Sequence, residues 1–399
     1  MAVEVEVGVV VPMGRSPQPF PASPPARSVD IAVVGGGALG CSAALALAED
    51  GHTVDLWERK GLGGGSTAKA AGILSSFAWN DADYRLIAET RGLIGEAISL
   101  ALAAGERAAR GAWRPAPSLV VARGQEGMRL LDQLQDRVER MTEECERMDA
   151  TRAAREFPAV SFEAGEECLV AQEDGVIEAG DLLVALRQRM GDAGVTLHEG
   201  HERPLLGSLP ADRVVVAGGA WTKPWLSAQG VPLPALAYRT QLANLLMPGA
   251  AEVPIVHDLH HHFYARPESD ASFLAGDGTQ LRPFDPSDYD EAADPGFVHS
   301  IAERVVARFT DGHAARLRAG WAGLCVGTPD RRPLVGAIPG RGDVFVLTGD
   351  NGFGLMRSLA LGVRLAEAVA GRGDPALEPG RFGWPPPQQF EMREGYGAP

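Results

Sequence analysis

Three glycines and one glutamate near the N-terminus have the types and spacing of a nucleotide site. Gly35, Gly37 and Gly40 form G-x-G-x-x-G directly after an apolar run, and Glu58 follows about 20 residues later. The first glycine permits a tight turn, the second lets the backbone approach a pyrophosphate, and the third allows close helix packing. A carboxylate at that distance binds ribose hydroxyls. The pattern therefore predicts a dinucleotide site.

The elements around these residues must be two parallel strands joined by a helix. Residues 31–34 and "TVDLWE" (53–58) are apolar enough for buried strands, and "ALGCSAALALAED" (38–50) between them is rich in helix formers. Glu58, at the end of the second strand, disfavours NADP, because its carboxylate would repel the 2′-phosphate. NAD and FAD are both compatible with this unit.

Later glycine-rich segments favour the larger dinucleotide. "GLGGGSTAKAAGIL" (61–74), "VVVAGGAW" (214–221) and "TGDNGFG" (348–354) each offer backbone donors, and the last precedes a helix whose positive end would stabilise a reduced flavin. The predicted cofactor-binding residues are Gly35, Gly37, Ala38, Leu39, Gly40, Glu58, Arg59, Ser66, Thr67, Lys69, Ala71, Gly72, Gly218, Gly219, Asn351, Gly352, Phe353, Gly354 and Leu355.

With "DGVIEAGDLLVAL" (174–186), "YARPE" (264–268) and "WAGLCVGTPDRRPLVG" (321–336), these motifs form an ordered set over residues 29–373. The set resembles the D-amino-acid oxidase, glycine oxidase and sarcosine oxidase family of FAD-dependent oxidoreductases. The resemblance implies non-covalent FAD, two interleaved domains, and oxidation of a C–N bond to an imine by hydride transfer to flavin N5. Two alternatives stay open: a 2-hydroxy-acid dehydrogenase, and a flavin-bearing subunit of a larger complex.

The residues that bind a substrate carboxylate in this family are replaced. Cys325 stands where glycine-oxidase-like members have an arginine, and Gly72 and Met356 replace two further basic residues. The position of Cys325 also disfavours a covalent link to FAD. Either the carboxylate site has moved, with Arg239, Arg266 and Lys69 as candidates, or the substrate lacks a free α-carboxylate. We favour the second alternative, which fits an amine, an esterified or carrier-bound amino acid, or a secondary-metabolite intermediate.

Candidate catalytic residues lie around "HDLHHHFYARPE" (257–268). Tyr264 matches a substrate-facing position of the family, and Arg266 is a candidate that could equally be an internal ion pair. In a strand His260 and His262 would share a face, so His262 is a candidate base for the amine. Together with Cys325, Met356 and Arg239, Tyr264 is predicted to line the substrate pocket. No metal is predicted, because no acid has ligand spacing.

Composition narrows the class of protein. The formal charge of −15 argues against nucleic-acid binding, and no apolar run is long enough for a membrane span. The four cysteines have no disulfide or zinc spacing, which favours a cytoplasmic protein. The predicted partners are a small amine or amino-acid-derived substrate and an electron acceptor, oxygen or another. The oligomeric state stays open.

The predicted fold class is α/β, a Rossmann-like FAD-binding domain interleaved with an α+β substrate domain on a mixed antiparallel sheet. We assign 29–107, 170–225 and 320–373 to the FAD-binding domain and 108–169 and 226–319 to the substrate domain. Residues 1–28 are predicted to be a flexible extension and 374–399 a Pro-rich tail. Long helices are expected over 83–111 and 124–149.

Overall fold

The computed structural model describes residues 29–78, 80–103, 105, 111–141, 144–201, 205–269, 271–278, 285–387, 389 and 390. In chain order the strands are β1 (Val29–Val34), β2 (Val54–Glu58), β3 (Ile73–Leu74), β4 (Trp113–Pro115), β5 (Ser118–Arg123), β6 (Glu146–Asp149), β7 (Glu166–Ala171), β8 (Gly175–Ile177), β9 (Thr196–Glu199), β10 (Ala211–Val216), β11 (Leu236–Leu246), β12 (Ile255–Asp258), β13 (Phe263–Ser269), β14 (Ser272–Gly276), β15 (Arg316–Gly327), β16 (Leu334–Ile338) and β17 (Arg341–Thr348). The helices are α1 (Ala38–Glu49), α2 (Asp81–Ala103), α3 (Gly124–Arg140), α4 (Ala150–Glu156), α5 (Ala179–Asp192), α6 (Thr222–Ser227), α7 (Pro295–Arg308) and α8 (Gly354–Val369).

A six-stranded sheet carries the dinucleotide motif. Its order is β16-β17-β10-β1-β2-β9, and every neighbouring pair is parallel except β16 with β17. Ile31 and Val33 of β1 pack into one hydrophobic core with α1 and α8, while Ala32 and Val34 pack into a second core on the opposite face. Both faces are therefore covered, which is why β1 reads as a continuous apolar run. This layer is the predicted Rossmann-like unit.

A mixed eight-stranded sheet forms the other large layer. Its order is β15-β11-β14-β13-β12-β5-β7-β6, and only the β12–β5 pair is parallel. Phe263, Phe273 and Phe309 lie in the core on one face, where α7 covers the sheet. The opposite face holds Tyr238, His257 and Tyr264. The predicted fold class, α/β with a mixed antiparallel sheet, is confirmed.

Two predicted helices end earlier than expected. The helix expected over 124–149 ends at Arg140, and residues 146–149 form β6 instead. Met148 is buried in the core of the eight-stranded sheet, and β6 pairs with β7, so tertiary packing overrides the local charge pattern there. The helix expected over 83–111 ends at Ala103, and residues 106–110 lie outside the described part.

The chain crosses repeatedly between the two sheets. Residues 320–327, which the sequence assigns to the cofactor domain, lie in β15 and pair with β11 of the eight-stranded sheet. The division into domains otherwise stays a proposal. Residues 1–28 and 391–399 lie outside the described residues. The first part of the Pro-rich segment packs onto the body, since the Val335 amide donates to the Leu377 carbonyl and Arg381 pairs with Asp330.

Candidate active site

A cavity of about 760 Å³ lies where the carboxyl ends of β1 and β10 meet the open face of the eight-stranded sheet. Val34 and Gly218 line it from the six-stranded sheet, and Tyr238 and Tyr264 line it from the eight-stranded sheet. In parallel α/β sheets, ligands bind at this edge. The two sheets thus provide opposite walls of one site.

The glycine turn after β1 is tight because no side chain fits there. Gly35 has a φ of +118°, and a Cβ on it would lie 2.4 Å from the carbonyl oxygen of Ala217. A Cβ on Gly40 would lie 1.7 Å from the carbonyl oxygen of Gly35, so α1 packs directly against the turn. Gly40 supports the site from behind and does not line the cavity.

Two side chains from the end of β2 define the far end of the cofactor wall. The Glu58 carboxylate accepts hydrogen bonds from the amides of Gly36 (2.7 Å) and Lys60 (2.9 Å), which fix it at the rim of the turn. The Arg59 guanidinium lies over the Trp221 ring, 4.2 Å from its centroid. An acid positioned by backbone donors next to an aromatic ring suits the ribose and adenine of a nucleotide.

The segment after β2 folds back over the α1 N-terminus. The Ala38 amide donates to Thr67 Oγ1 (3.1 Å), which ties this segment to the glycine turn. Gly72 has a φ of +72°, and its carbonyl accepts from the Ile177 amide at 2.6 Å. These bonds hold the segment against the cavity.

The predicted cofactor residues are brought together almost completely. Those that line the cavity are Gly35, Gly37, Ala38, Leu39, Glu58, Arg59, Ser66, Thr67, Lys69, Ala71, Gly72, Gly218, Gly219, Asn351, Gly352, Phe353, Gly354 and Leu355. They come from three separate parts of the chain, and the N-termini of α1 and α8 both open into the cavity. This wall of the cavity has backbone N–H donors, glycines that let a ligand approach the backbone, and the carboxylate of Glu58 held in place by backbone amides. It therefore fits a dinucleotide such as FAD.

Three predicted pocket residues, Tyr264, Cys325 and Met356, line the remaining part of the cavity. Cys325 lies opposite Tyr238 in the β11–β15 pair, and burial raises the pKa of its thiol to about 12. The thiol is therefore neutral and is part of the wall. Burial likewise raises the pKa of the Tyr264 phenol, which stays protonated.

The three basic residues proposed for a substrate carboxylate all have partners elsewhere. Arg239 does not line the cavity: its Nε donates to the Asp290 carbonyl (2.9 Å), and its Nη1 pairs with Asp294. Lys69 lines the cavity, but its Nζ lies 2.8 Å from Tyr289 Oη and 3.0 Å from Glu291 Oε2.

Arg266, a predicted catalytic residue, is an internal ion pair. Its side chain is 4% exposed, and its Nη1 lies 2.8 Å from Glu178 Oε1. Its Nε donates to the Ala71 carbonyl (2.7 Å), so it supports the glycine-rich segment from outside the cavity. This is a structural role.

His262 is not in the cavity either, because β12 ends at Asp258 and a turn follows. His262 is exposed with a φ of +54°, and its carbonyl accepts from Arg304 (2.8 Å). His260 and His261 lie in the same turn. Their ligand atoms and that of Glu163 lie within 4.8 Å of one another, but Glu163 pairs with Arg123 and the Arg308 guanidinium contacts His261. The absence of a metal stays a prediction.

Among the described residues, the histidine that lines the cavity is His257, which was not predicted from the sequence. It lies directly opposite Tyr264 in the β12–β13 pair, and both side chains line the cavity. Burial lowers its pKa from 6.5 to about 4, so its imidazole is neutral. The alternation of residues along β12 could have shown it, because Ile255 and His257 share one face of the strand, opposite the buried Val256 and Asp258.

A buried ion pair was also missed. Arg357, in the first turn of α8, is fully buried, lines the cavity and pairs with Asp83 of α2. Its Nη2 donates to the Asp350 carbonyl, and its guanidinium carbon lies 5.4 Å from the centre of the Phe353 ring. An arginine inside the apolar run "GLMRSLAL" (354–361) is the feature that could have shown it.

The family model described as "DAO: FAD dependent oxidoreductase" matches residues 30–368. The chain belongs to this family. It is therefore an FAD-dependent oxidoreductase, and the predicted cofactor, FAD, is confirmed. In this family setting the neutral thiol of Cys325 supports non-covalent binding.

Relatives agree with this assignment. The chain is 25% identical to glycine oxidase of Geobacillus kaustophilus over 85% of its length and 92% of that protein. It is 24% identical to mitochondrial sarcosine dehydrogenase of Mus musculus, covering 92% of this chain but 42% of that longer protein.

Solved structures share the fold. The glycine oxidase structure from Geobacillus kaustophilus matches with a TM-score of 0.74 at 24% identity, covering 88% of this chain and 96% of that one. L-proline dehydrogenase from P. horikoshii matches with a TM-score of 0.78 at 18% identity, covering 89% and 98%. In the part of the chain that the structure describes, no helix is long and apolar enough to cross a membrane.

Proposed function

We propose that this enzyme oxidises the C–N bond of an amine or amino-acid derivative to an imine, the hydride passing to N5 of the bound flavin. The observation that carries the proposal is a single cavity whose cofactor wall continues into a wall containing Tyr264, His257 and Met356. The names of the relatives, glycine oxidase and sarcosine dehydrogenase, support a C–N bond as the one oxidised.

The residues at the substrate end suit a neutral amine. An ammonium group has no free electron pair, so the amine must lose a proton before it is oxidised. A buried site disfavours the charged form. His257, which is neutral, offers an acceptor for an amine N–H, and the protonated Tyr264 phenol offers a donor beside it. We assign these two residues to orientation of the substrate nitrogen.

The carboxylate-binding positions support a substrate without a free α-carboxylate. Cys325 cannot donate two parallel hydrogen bonds as an arginine does. Arg239 and Arg266 lie outside the cavity, and Lys69 is paired with Glu291. An amine or an amino acid whose carboxyl group is esterified or amidated fits this end of the cavity best.

Flavin bleaching without oxygen tests the proposed function. The purified enzyme is mixed with panels of amines, amino acids, amino-acid amides and 2-hydroxy acids, and its absorbance is followed. We expect amines or amino-acid derivatives to bleach the flavin. Bleaching by 2-hydroxy acids alone would reject the amine assignment.

A further inference from the structure

Asp83 and Arg357 form an ion pair in the wall of the cavity. Asp83 belongs to the first turn of α2 and Arg357 to the first turn of α8, and both line the cavity. Neither residue belongs to the predicted cofactor-binding motifs. An ion pair whose arginine is fully buried needs an explanation, because burying charges is costly.

The acid is built into the start of α2. Asn80 and Asp83 exchange hydrogen bonds: the Asp83 amide donates to Asn80 Oδ1 (2.9 Å), and Asn80 Nδ2 donates to Asp83 Oδ2 (2.6 Å). This reciprocal cap and the positive end of the helix both stabilise a carboxylate there. The Asp83 side chain is 18% exposed and forms an ion pair with Arg357.

The Asp83 carboxylate balances the charge of the Arg357 guanidinium, but one N–H group of the guanidinium has no hydrogen-bond acceptor among the described residues. The guanidinium is held by the Asp83 carboxylate and the Asp350 carbonyl. Its Nε is buried and has no hydrogen-bond partner among the described residues. Burial raises the pKa of the Asp350 carboxyl. The pair thus offers one N–H donor and one anionic acceptor, with no net charge to attract a carboxylate.

We propose that Asp83 and Arg357 form a subsite for a neutral carbonyl group, an amide in preference to a carboxylate, and that Asp83 sets this selectivity. The proposal rests on the proposed function. The amide oxygen accepts from Arg357, and its N–H donates to Asp83. A carboxylate in the same place lies beside the negative charge of Asp83, which like-charge repulsion disfavours.

Binding of inert ligands to the FAD-loaded enzyme tests the subsite without turnover. Methoxyacetamide and methoxyacetate differ only in the group in question, and the flavin absorbance spectrum reports binding of each. We expect the wild type to bind the amide more tightly. In Asp83→Asn the ratio shifts towards the carboxylate by about tenfold or more, because the guanidinium loses its counter-charge.

Asp81→Asn is the matched control. Asp81 lies in the same helical turn but pairs with Arg137 and Arg140, and it does not line the cavity. This variant should leave the ratio unchanged. If Asp83→Asn does not fold, Asp83→Ser replaces it, because serine also removes the negative charge and keeps a hydrogen-bonding side chain at this position. Tighter binding of the carboxylate by the wild type, or equal shifts in the Asp81 and Asp83 variants, overturns the subsite.

Oxidation of N-methylglycine and N-methylglycinamide separates the two proposals. If either probe bleaches the flavin but Asp83→Asn leaves the ratio of kcat/KM unchanged, the subsite fails and the function stands. If the ligands bind as described but no amine of the wider panel bleaches the flavin, the function fails and the subsite stands.

Discussion

His257 is a half-buried imidazole in the cavity wall, and its lowered pKa makes the stability of the protein depend on pH. Its pKa is lowered from 6.5 to about 4. The folded protein therefore takes up this proton less readily than the unfolded chain. The stabilisation is fully present above pH 6.5 and is lost as the pH falls towards 4. At pH 5 this residue alone lowers the free energy of unfolding by about 2 kcal/mol relative to pH 7.

Urea unfolding at pH 7 and pH 5 checks this prediction. His257→Asn removes the titrating group, so we expect a smaller loss of stability between the two pH values than in the wild type. His299→Asn is the control, because that side chain is 78% exposed. A variant at position 257 with the same pH dependence as the wild type would contradict the placement of His257 in the cavity wall.

Cys325 gives a prediction about cofactor attachment. A thiol whose pKa is raised to about 12 is almost never a thiolate at neutral pH, and the thiolate is the nucleophile. Acid precipitation should therefore release the yellow colour into the supernatant, for the wild type and for Cys325→Ala alike. Colour that stays in the wild-type pellet but not in that of the variant would make Cys325 a covalent attachment site. Cys145→Ala, outside the cavity, controls for cysteine loss.

The position of a site residue could be predicted from the sequence where it depends only on neighbouring residues in the chain. The glycine turn depends on residue types a few positions apart, so the sequence was enough to predict Gly35 and Gly37. The opposite wall depends on register. Whether His257 or His262 faces the cavity is decided by where β12 ends, which Asp258 determines through its hydrogen bonds to the amides of His260 and His261. The pairing of Asp83 with Arg357 joins residues far apart in the chain, and no local pattern specifies it.

At the scale of elements, the conformation of the segment between the 3₁₀ turn Thr67–Lys69 and β3 depends on one glycine. Gly72 has a positive φ, and a Cβ there would lie 2.2 Å from the Ile177 carbonyl oxygen. Gly72→Ala should displace this segment from the cavity, weaken FAD retention and destabilise the protein by about 1–3 kcal/mol. Fluorescence titration of the apoprotein with FAD and urea unfolding measure the two effects.

Gly92→Ala is the matched control for that substitution. Gly92 lies on the exposed face of α2, and nothing lies within 4 Å of an added Cβ. It should leave FAD binding unchanged and stabilise the helix by about 0.5–1 kcal/mol. Equal FAD affinity in both variants would show that the segment around Gly72 does not support the cofactor site.

Helices and strands were predicted well where the hydrophobic residues follow a clear periodicity, and poorly where packing against distant parts of the chain determines the secondary structure. The β1–α1–β2 unit follows from apolar runs and glycines, and the structure contains it with nearly the same bounds. Residues 146–149 carry three charged side chains and extend a helical pattern, yet they form β6 because Met148 enters a core and the strand gains a partner in β7. A neighbour from elsewhere in the chain overrode the local signal.

For the whole molecule, a cavity lined by both large sheets couples cofactor binding to global stability. A ligand that binds only the folded state stabilises it by about 2.7 kcal/mol at a hundredfold excess over its Kd. Removing FAD should therefore lower the melting temperature, and adding it back should restore the temperature in a saturable way. Differential scanning calorimetry of apoprotein with increasing FAD measures this. Superimposable scans with and without FAD would contradict it.

The family resemblance implied an interleaved course of the chain, but it did not indicate which strands pair with one another. β15 runs from the surface into the cavity wall as a neighbour of β11, although its sequence continues into the "TPD" turn beside the cofactor motif. β15 thus belongs to the eight-stranded sheet by hydrogen bonding, while its Leu324 and Val326 pack into a core of the six-stranded sheet. Sequence order gives the succession of segments, but long-range hydrogen bonding decides the sheet that each one joins.

The distribution of the cofactor wall along the chain has a consequence for synthesis. Gly35 is synthesised before residues 351–355, which line the same cavity and lie far along the chain from it. Until those residues are made, a nascent chain carries the glycine turn without this part of the binding wall. FAD can therefore bind fully only after both segments have been made and have folded together. The yellow colour of bound FAD then marks chains in which the glycine turn and residues 351–355 form one site.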